Sequence, residues 1–171
     1  LIRDKGIFEF IQAAREFRQK GVEAIFWVIG EIDYGNPKAI LESELDEWSS
    51  EPNVIFWGYR EDVVDLYLKS SITCLPSYYG EGMPKSLLEA AACGRSIVTT
   101  DTPGCRDTVI ANQTGLLVEP RNISELVDAL LSLVNKPDLC SQYGRAARVH
   151  AEKNFDIKEI VESHLRVYEN L

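Results

Sequence analysis

The sequence predicts an α/β domain, a doubly wound parallel sheet followed by a helical carboxyl-terminal tail. Short runs of β-branched, aromatic and aliphatic residues alternate with longer stretches of helical spacing. After residue 120 the strands stop while the helical spacing continues. Strands so nearly continuous in apolar residues need cover on both faces, which a parallel sheet flanked by helices provides.

The opening LIRDK runs directly into a helix expected at about residues 6 to 20. A strand ordinarily precedes such a helix, so the chain reads as a fragment cut near a domain boundary. Ala24 to Ile29 (AIFWVI) is the first strand, with a helix at about 38 to 50. Val54 to Trp57 (VIFW) and a helix at about 62 to 69 come next, then Ile72 to Leu75 (ITCL) and a helix at about 84 to 93. Ser96 to Thr100 (SIVTT) and Gly115 to Val118 (GLLV) complete the strands. The tail holds helices at about 123 to 135, 138 to 153 and 156 to 170. Asn122 with Glu125 makes a capping-box-like start, Pro137 opens the second helix and Asp156 caps the third. The last helix carries Ile157, Ile160, Val161, His164, Leu165 and Tyr168 at packing intervals and is expected to pack on the protein.

A chain of 171 residues fits one domain, here residues 1 to 171, and needs no staple to fold. Eighteen basic against 27 acidic residues give a net charge of −9, which speaks against nucleic acid or anionic lipid as a partner. Any anionic ligand must be held locally. Cys74, Cys93, Cys105 and Cys140 form no CxxC pair and no zinc pattern, and Cys74 and Cys93 read as buried thiols of a reducing cytosol. His150 and His164 have no acidic or thiol partners at ligand spacing, so no metal site is expected. No run approaches the ~20 apolar residues of a membrane span, and the expected location is cytoplasmic, with peripheral attachment to the inner membrane as an option.

Ligands of parallel sheets bind beyond the carboxyl ends of the strands. The segment after Leu75 reads PSYYGEGMPKSLLEAAACG. Gly80 and Gly82 permit a tight turn and close approach to a ligand, and Pro84 suits the first position of a helix. The free amides of Gly82, Met83 and Lys85 then face an anion, phosphate above all, with the helix dipole behind them. Glu89 lies in an apolar run and needs donors, which the two hydroxyls of a ribose would supply; Glu81 could serve a sugar likewise.

Glu81 and Glu89, with seven residues between them, resemble the E-x7-E motif of glycosyltransferase family 4. The resemblance extends over DKG, VIFWGYREDVVDLY, SIVTTDTPGCRDTV, TGLLVEP and the helical tail. It implies the carboxyl-terminal, Rossmann-like, donor-binding half of a two-domain GT-B enzyme, lacking the amino-terminal acceptor-binding domain. It further implies that Glu89 binds the ribose, Glu81 orients the transferred sugar, Lys5 contacts the diphosphate, and Arg60 with Tyr59 lies at the base. The reaction implied is metal-independent and without cofactor: retaining transfer of a sugar, expected to be UDP-linked, to a saccharide or lipid-linked acceptor in surface polysaccharide synthesis, with the isolated domain inactive. The motif wording is similar to capsule and O-antigen transferases. The arginine that the family pairs with its lysine would fall just before Leu1. Thr102, Pro103 and Gly104 are candidates for lining the sugar crevice.

Each site residue also has a plainer reading. Glu89 could pair with a neighbouring lysine or arginine, Arg60 with Glu61 or Asp62, and Lys5 could be a solvated surface lysine. At the level of function, a non-catalytic nucleotide-sugar-binding regulatory module and a nucleotide-sugar epimerase of the same two-domain fold remain alternatives. A phosphorelay receiver is disfavoured, because Pro76 and Ser77 follow the third strand where a phosphorylatable aspartate would be needed.

Overall fold

The computed structural model describes residues 1 to 80 and 82 to 169; Glu81, Asn170, Leu171 and the side chains of Glu159, Ile160, Ser163 and Glu169 lie outside that description. After a short 3-10 turn at Arg3–Lys5, the chain forms α1 (Ile7–Gln19), β1 (Phe26–Val28), α2 (Glu42–Ser49), β2 (Val54–Phe56), α3 (Val63–Lys69) and β3 (Ile72–Leu75). It continues through α4 (Lys85–Ala92), β4 (Ser96–Thr100), β5 (Gly115–Val118), α5 (Ile123–Val134), α6 (Pro137–Asn154) and α7 (Ile157–Glu169). The expected α/β class with a helical tail is the fold observed.

All strand pairing is parallel, but it falls into two sheets, β1-β2 and β3-β4-β5, where the alternation implied one. Strand β4, SIVTT, has a neighbour on each side and is buried throughout. Its consecutive residues show the double winding: Val98 joins the cluster built from Ile11, Phe17, Leu126 and Leu130, while Ile97 joins Leu87, Ala90, Ala91 and Ala147. Successive side chains of a strand point to opposite faces, so α1 and α5 cover one face and α4 and α6 the other. Helix α5 earns its place through Leu126, Val127, Leu130 and Leu133, an apolar stripe at helical spacing.

Three expectations need correction. The helix foreseen from residue 38 begins at Glu42, because Lys38 and Ile40 are drawn into main-chain bonds with Arg3 and Leu1 and Ala39 bridges Ile2. Of the cysteines, Cys105 and Cys140 are the buried pair, while Cys74 and Cys93 are half-buried; all four are free thiols. The stripe of α7 does not pack on the described protein: Ile157, Val161, Leu165 and Tyr168 are all exposed. The tail caps behave as foreseen, with the Asn122 side chain accepting from the Glu125 amide, Pro137 in the first turn of α6 and Asp156 accepting from the Lys158 amide.

Candidate functional site

Residues 1 to 4 tie the two sheets together at the carboxyl ends of their strands. The Leu1 nitrogen donates to the Glu31 carbonyl just past β1. The Asp4 carbonyl accepts from the Tyr78 amide and the Ser77 hydroxyl just past β3, each at 3.0 Å. The Thr100 hydroxyl at the end of β4 donates to the Ser77 carbonyl and stands 3.1 Å from the Thr102 hydroxyl. The Gly30 amide reaches the Gly58 carbonyl at 2.8 Å, joining the loops after β1 and β2. The loops after β1, β2, β3 and β4 therefore form one hydrogen-bonded rim.

Lys5 is delivered to this rim by Gly6, whose left-handed φ of 75° turns the chain from the 3-10 turn into α1. A β-carbon on Gly6 would lie 2.0 Å from the Pro76 carbonyl oxygen, so the backbone carrying Lys5 lies directly against the loop after β3. Lys5 borders a cleft of about 400 Å³ together with Ile2, Asp4, Asn36, Lys38 and Tyr79. Lys38 pairs with Asp4 and sits 4.9 Å over the Tyr79 ring, so at this cleft the Lys38 charge is balanced by a carboxylate.

In the loop itself Pro76 and Ser77 are buried, Gly82 and Met83 are exposed, and Glu81 lies outside the described residues. Pro84 is extended, with ψ of 123°, and caps α4 rather than occupying its first turn as expected. Its carbonyl accepts from the Leu87 and Leu88 amides, which leaves those of Lys85 and Ser86 without an intrahelical acceptor and available to an anion. Glu89 follows one turn later. Leu87, Ala90 and Ala91 take the buried face of α4, so the Glu89 side chain is 37% exposed and meets Lys85 Nζ at 3.3 Å. The lysine pairing weighed for Glu89 is thus present, as an exposed i,i+4 contact of the kind worth a few tenths of a kcal/mol.

Arg60 is engaged by a neighbour too: its guanidinium donates to both carboxylate oxygens of Asp62, at 2.7 and 2.6 Å. The pair holds the Asp62 carboxyl below its usual range. The guanidinium also lies 5.3 Å over Trp57, whose ring meets Trp27 edge-on at 5.5 Å. Trp57 Nε1 is buried with no hydrogen-bond partner among the described residues, and Tyr59 is exposed beside it. Trp57 was not singled out from the sequence, although the run FWGYR at a strand end was the available signal. Arg121 was missed as well. It follows β5 in a left-handed conformation, φ 62°, and stacks 4.1 Å over Tyr78.

The structure thus brings Lys5, the Pro76–Pro84 loop and the start of α4 together, with Trp57, Tyr59 and Arg60 on the adjoining loop. Such an edge offers cations and amides to a diphosphate and aromatic faces to a planar ring. Among the described residues no three His, Cys, Asp or Glu side chains are grouped to hold a metal ion. No described helix is long and apolar enough to cross a membrane.

Residues 1–150 match the family described as Glycosyl transferases group 1. The chain is 28% identical over 168 residues to the capsular polysaccharide biosynthesis glycosyltransferase CapM of Staphylococcus aureus, covering 98% of this chain and 43% of that one. It is 30% identical over 167 residues to the N,N'-diacetylbacillosaminyl-diphospho-undecaprenol alpha-1,3-N-acetylgalactosaminyltransferase of Campylobacter jejuni, covering 98% of this chain and 42% of that one. In fold it resembles HepE of Anabaena, crystallised with UDP, at a TM-score of 0.88 and 20% identity over 98% of this chain and 46% of the other. The chain spans less than half the length of these relatives.

Proposed function

Because the chain belongs to the Glycosyl transferases group 1 family, we propose that it is the donor-binding half of a retaining glycosyltransferase of family 4. The single observation that carries this reading is the contact of the Lys5 turn with the loop leading into α4, where Gly6 lies against Pro76 and the Asp4 carbonyl accepts from Ser77 and Tyr78 at the strand ends. The donor is a nucleotide diphosphate sugar, UDP-linked in the first instance. Lys5 and the amides at the start of α4 neutralise the diphosphate, Glu89 accepts from the ribose hydroxyls, and Glu81 orients the sugar. Tyr59 and Arg60 flank the base; Arg60 must exchange Asp62 for the ligand or stack on it in place.

In the transfer, the bond from the anomeric carbon to the phosphate oxygen breaks and its electron pair stays on the diphosphate. The acceptor hydroxyl oxygen bonds the same carbon from the same face and passes its proton to the departing phosphate. Charge builds on the diphosphate, where fixed donors stabilise it most, and no metal or cofactor is required. A separate amino-terminal domain of the same protein supplies the acceptor site, so residues 1 to 171 bind donor without turning it over. The acceptor is a saccharide or lipid-linked saccharide of surface polysaccharide synthesis, made in the cytoplasm or at the inner face of the membrane; the names of the Staphylococcus and Campylobacter relatives favour that class.

Calorimetric titration of UDP, GDP and ADP without added metal, into the full-length protein and its Glu89→Ala variant, tests the reading. Binding of one nucleotide that weakens in the variant supports the donor site and names the base. Equal affinity of wild type and variant removes Glu89 from the site, and absence of binding by any nucleotide sinks the proposal.

A further inference from the structure

The cleft of about 400 Å³ beside Lys5 is built from two loops. Asn36 and Lys38 come from the segment between β1 and α2, and Tyr79 from the loop after β3, with Ile2 and Asp4 beside them. The first segment is held by its own main chain. The Asn36 amide donates to the Asp33 carbonyl at 2.8 Å, the Asn36 side-chain oxygen accepts from the Lys38 amide at 2.9 Å, and the Lys38 carbonyl accepts from the Arg3 amide at 2.9 Å. Ala39 bridges Ile2. This wall is in place before a ligand arrives, so little ordering is needed on binding.

The groups around the cleft suit a polyol. The Lys38 ammonium donates to the Asp4 carboxylate, so its charge is offset and a carboxylate stands beside any guest. That carboxylate repels a phosphate and accepts from hydroxyls. The Asn36 side-chain nitrogen is a donor, its oxygen being taken by the Lys38 amide. Lys38 lies 4.9 Å over the Tyr79 ring, yet Tyr79 stays 57% exposed, which leaves apolar ring surface for the C–H edge of a pyranose. Donors and acceptors converging beside an aromatic surface are what a neutral saccharide uses.

The position selects which saccharide. The segment carrying Asn36 and Lys38 leads into Ile40 and Trp48, which join Ile11 and Phe17 in the cluster on the α1 side of the sheet. Glu89 rides on α4, whose Leu87, Ala90 and Ala91 pack on the other side. The cleft and the ribose-binding carboxylate therefore approach the rim from opposite sides, and Lys5 is common to the cleft and the diphosphate. A retaining transfer in which the departing phosphate takes the acceptor's proton requires the acceptor hydroxyl beside that diphosphate.

We propose that this cleft holds the terminal sugar of the acceptor, with Tyr79 as its platform and Asp4, Asn36 and Lys38 bonding its hydroxyls. The donor-binding half then contributes to acceptor choice alongside the amino-terminal domain. The proposal rests on the donor reading above.

Saturation-transfer NMR on the full-length protein tests it, in the presence of whichever of UDP, GDP and ADP the protein binds. The probes are the methyl glycosides of glucose, galactose, N-acetylglucosamine and N-acetylgalactosamine, while calorimetry follows the nucleotide. At least one glycoside is expected to bind the wild type, Tyr79→Ala to lower its affinity about 10-fold or more, and Tyr79→Phe to retain it. Nucleotide affinity and melting temperature are expected to be the same in all three, since the Tyr79 side chain is exposed. Equal glycoside binding by wild type and Tyr79→Ala overturns the subsite, as does a wild type that binds nucleotide but no glycoside; both leave the donor reading standing. Nucleotide affinity that falls together with glycoside affinity also overturns it and gives the cleft to the donor. Failure of every nucleotide to bind overturns the donor reading, and this proposal with it.

Discussion

Gly6 and Pro76 are in backbone contact: a β-carbon on Gly6 would overlap the Pro76 carbonyl oxygen at 2.0 Å, and Gly6 holds a left-handed φ of 75°. This one contact seats the Lys5 turn on the loop after β3. An alanine at position 6 meets both the overlap and the strained φ, neither relieved by moving a flexible side chain. Gly6→Ala is expected to destabilise the protein by roughly 2 kcal/mol or more, read by urea unfolding, and to weaken nucleotide binding as Lys5 shifts.

Lys85 and Glu89 separate under mutation. Their contact is exposed, so Lys85→Ala should change stability by about 0.5 kcal/mol or less and leave donor affinity nearly unchanged. Glu89→Gln keeps the shape but loses the charge that strengthens hydrogen bonds to ribose hydroxyls, and should weaken donor binding about 10- to 100-fold with an unaltered melting temperature. Calorimetry on the two variants side by side distinguishes these outcomes.

Gly144 reverses a familiar sign. Within a helix, glycine to alanine ordinarily gains close to 1 kcal/mol. At Gly144 in α6 the new β-carbon would lie 2.2 Å from the Gly94 carbonyl oxygen, where α6 crosses the turn between α4 and β4. Gly144→Ala is therefore expected to cost about 1 to 3 kcal/mol, measured by urea unfolding.

Arg3 holds Glu44 through two bonds of 2.6 Å, which, with the Leu41 amide, keep the Glu44 carboxyl below its ordinary value of 4.5. A carboxyl depressed on folding stabilises the protein at pH above its unfolded value, and the contribution fades as pH falls through the folded value. The stability difference between wild type and Glu44→Gln should thus hold steady above pH 4.5 and shrink as acid is added below it, followed by denaturant melts across that range. A difference that grows on acidification would contradict the pairing.

Much of the fold was legible because apolar runs report burial directly. Strands β3, β4 and β5 fall on the residues the sequence marks, since each packs within a three-stranded sheet between helices. The first strand is shorter than its apolar run, Phe26–Val28 within Ala24 to Ile29, because only one neighbour pairs with it. The start of α2 was misread because Lys38, Ala39 and Ile40 pair with residues 1 to 3, a contact between distant positions that local spacing does not encode. At the site, the glycines and Pro84 marked where the loop after β3 gives way to a helix. Arg121 over Tyr78 and the orphaned indole nitrogen of Trp57 depend on how loops from different strands converge, and only the folded chain displays them.

The Asp4 carbonyl receives two donors from the loop after β3, so the main chain leading into Lys5 cannot swing away without severing both. A ligand arriving at this rim meets a main chain already fixed in place. The entropy of ordering the lysine turn is spent when the domain folds, leaving more of each contact's free energy to appear as affinity.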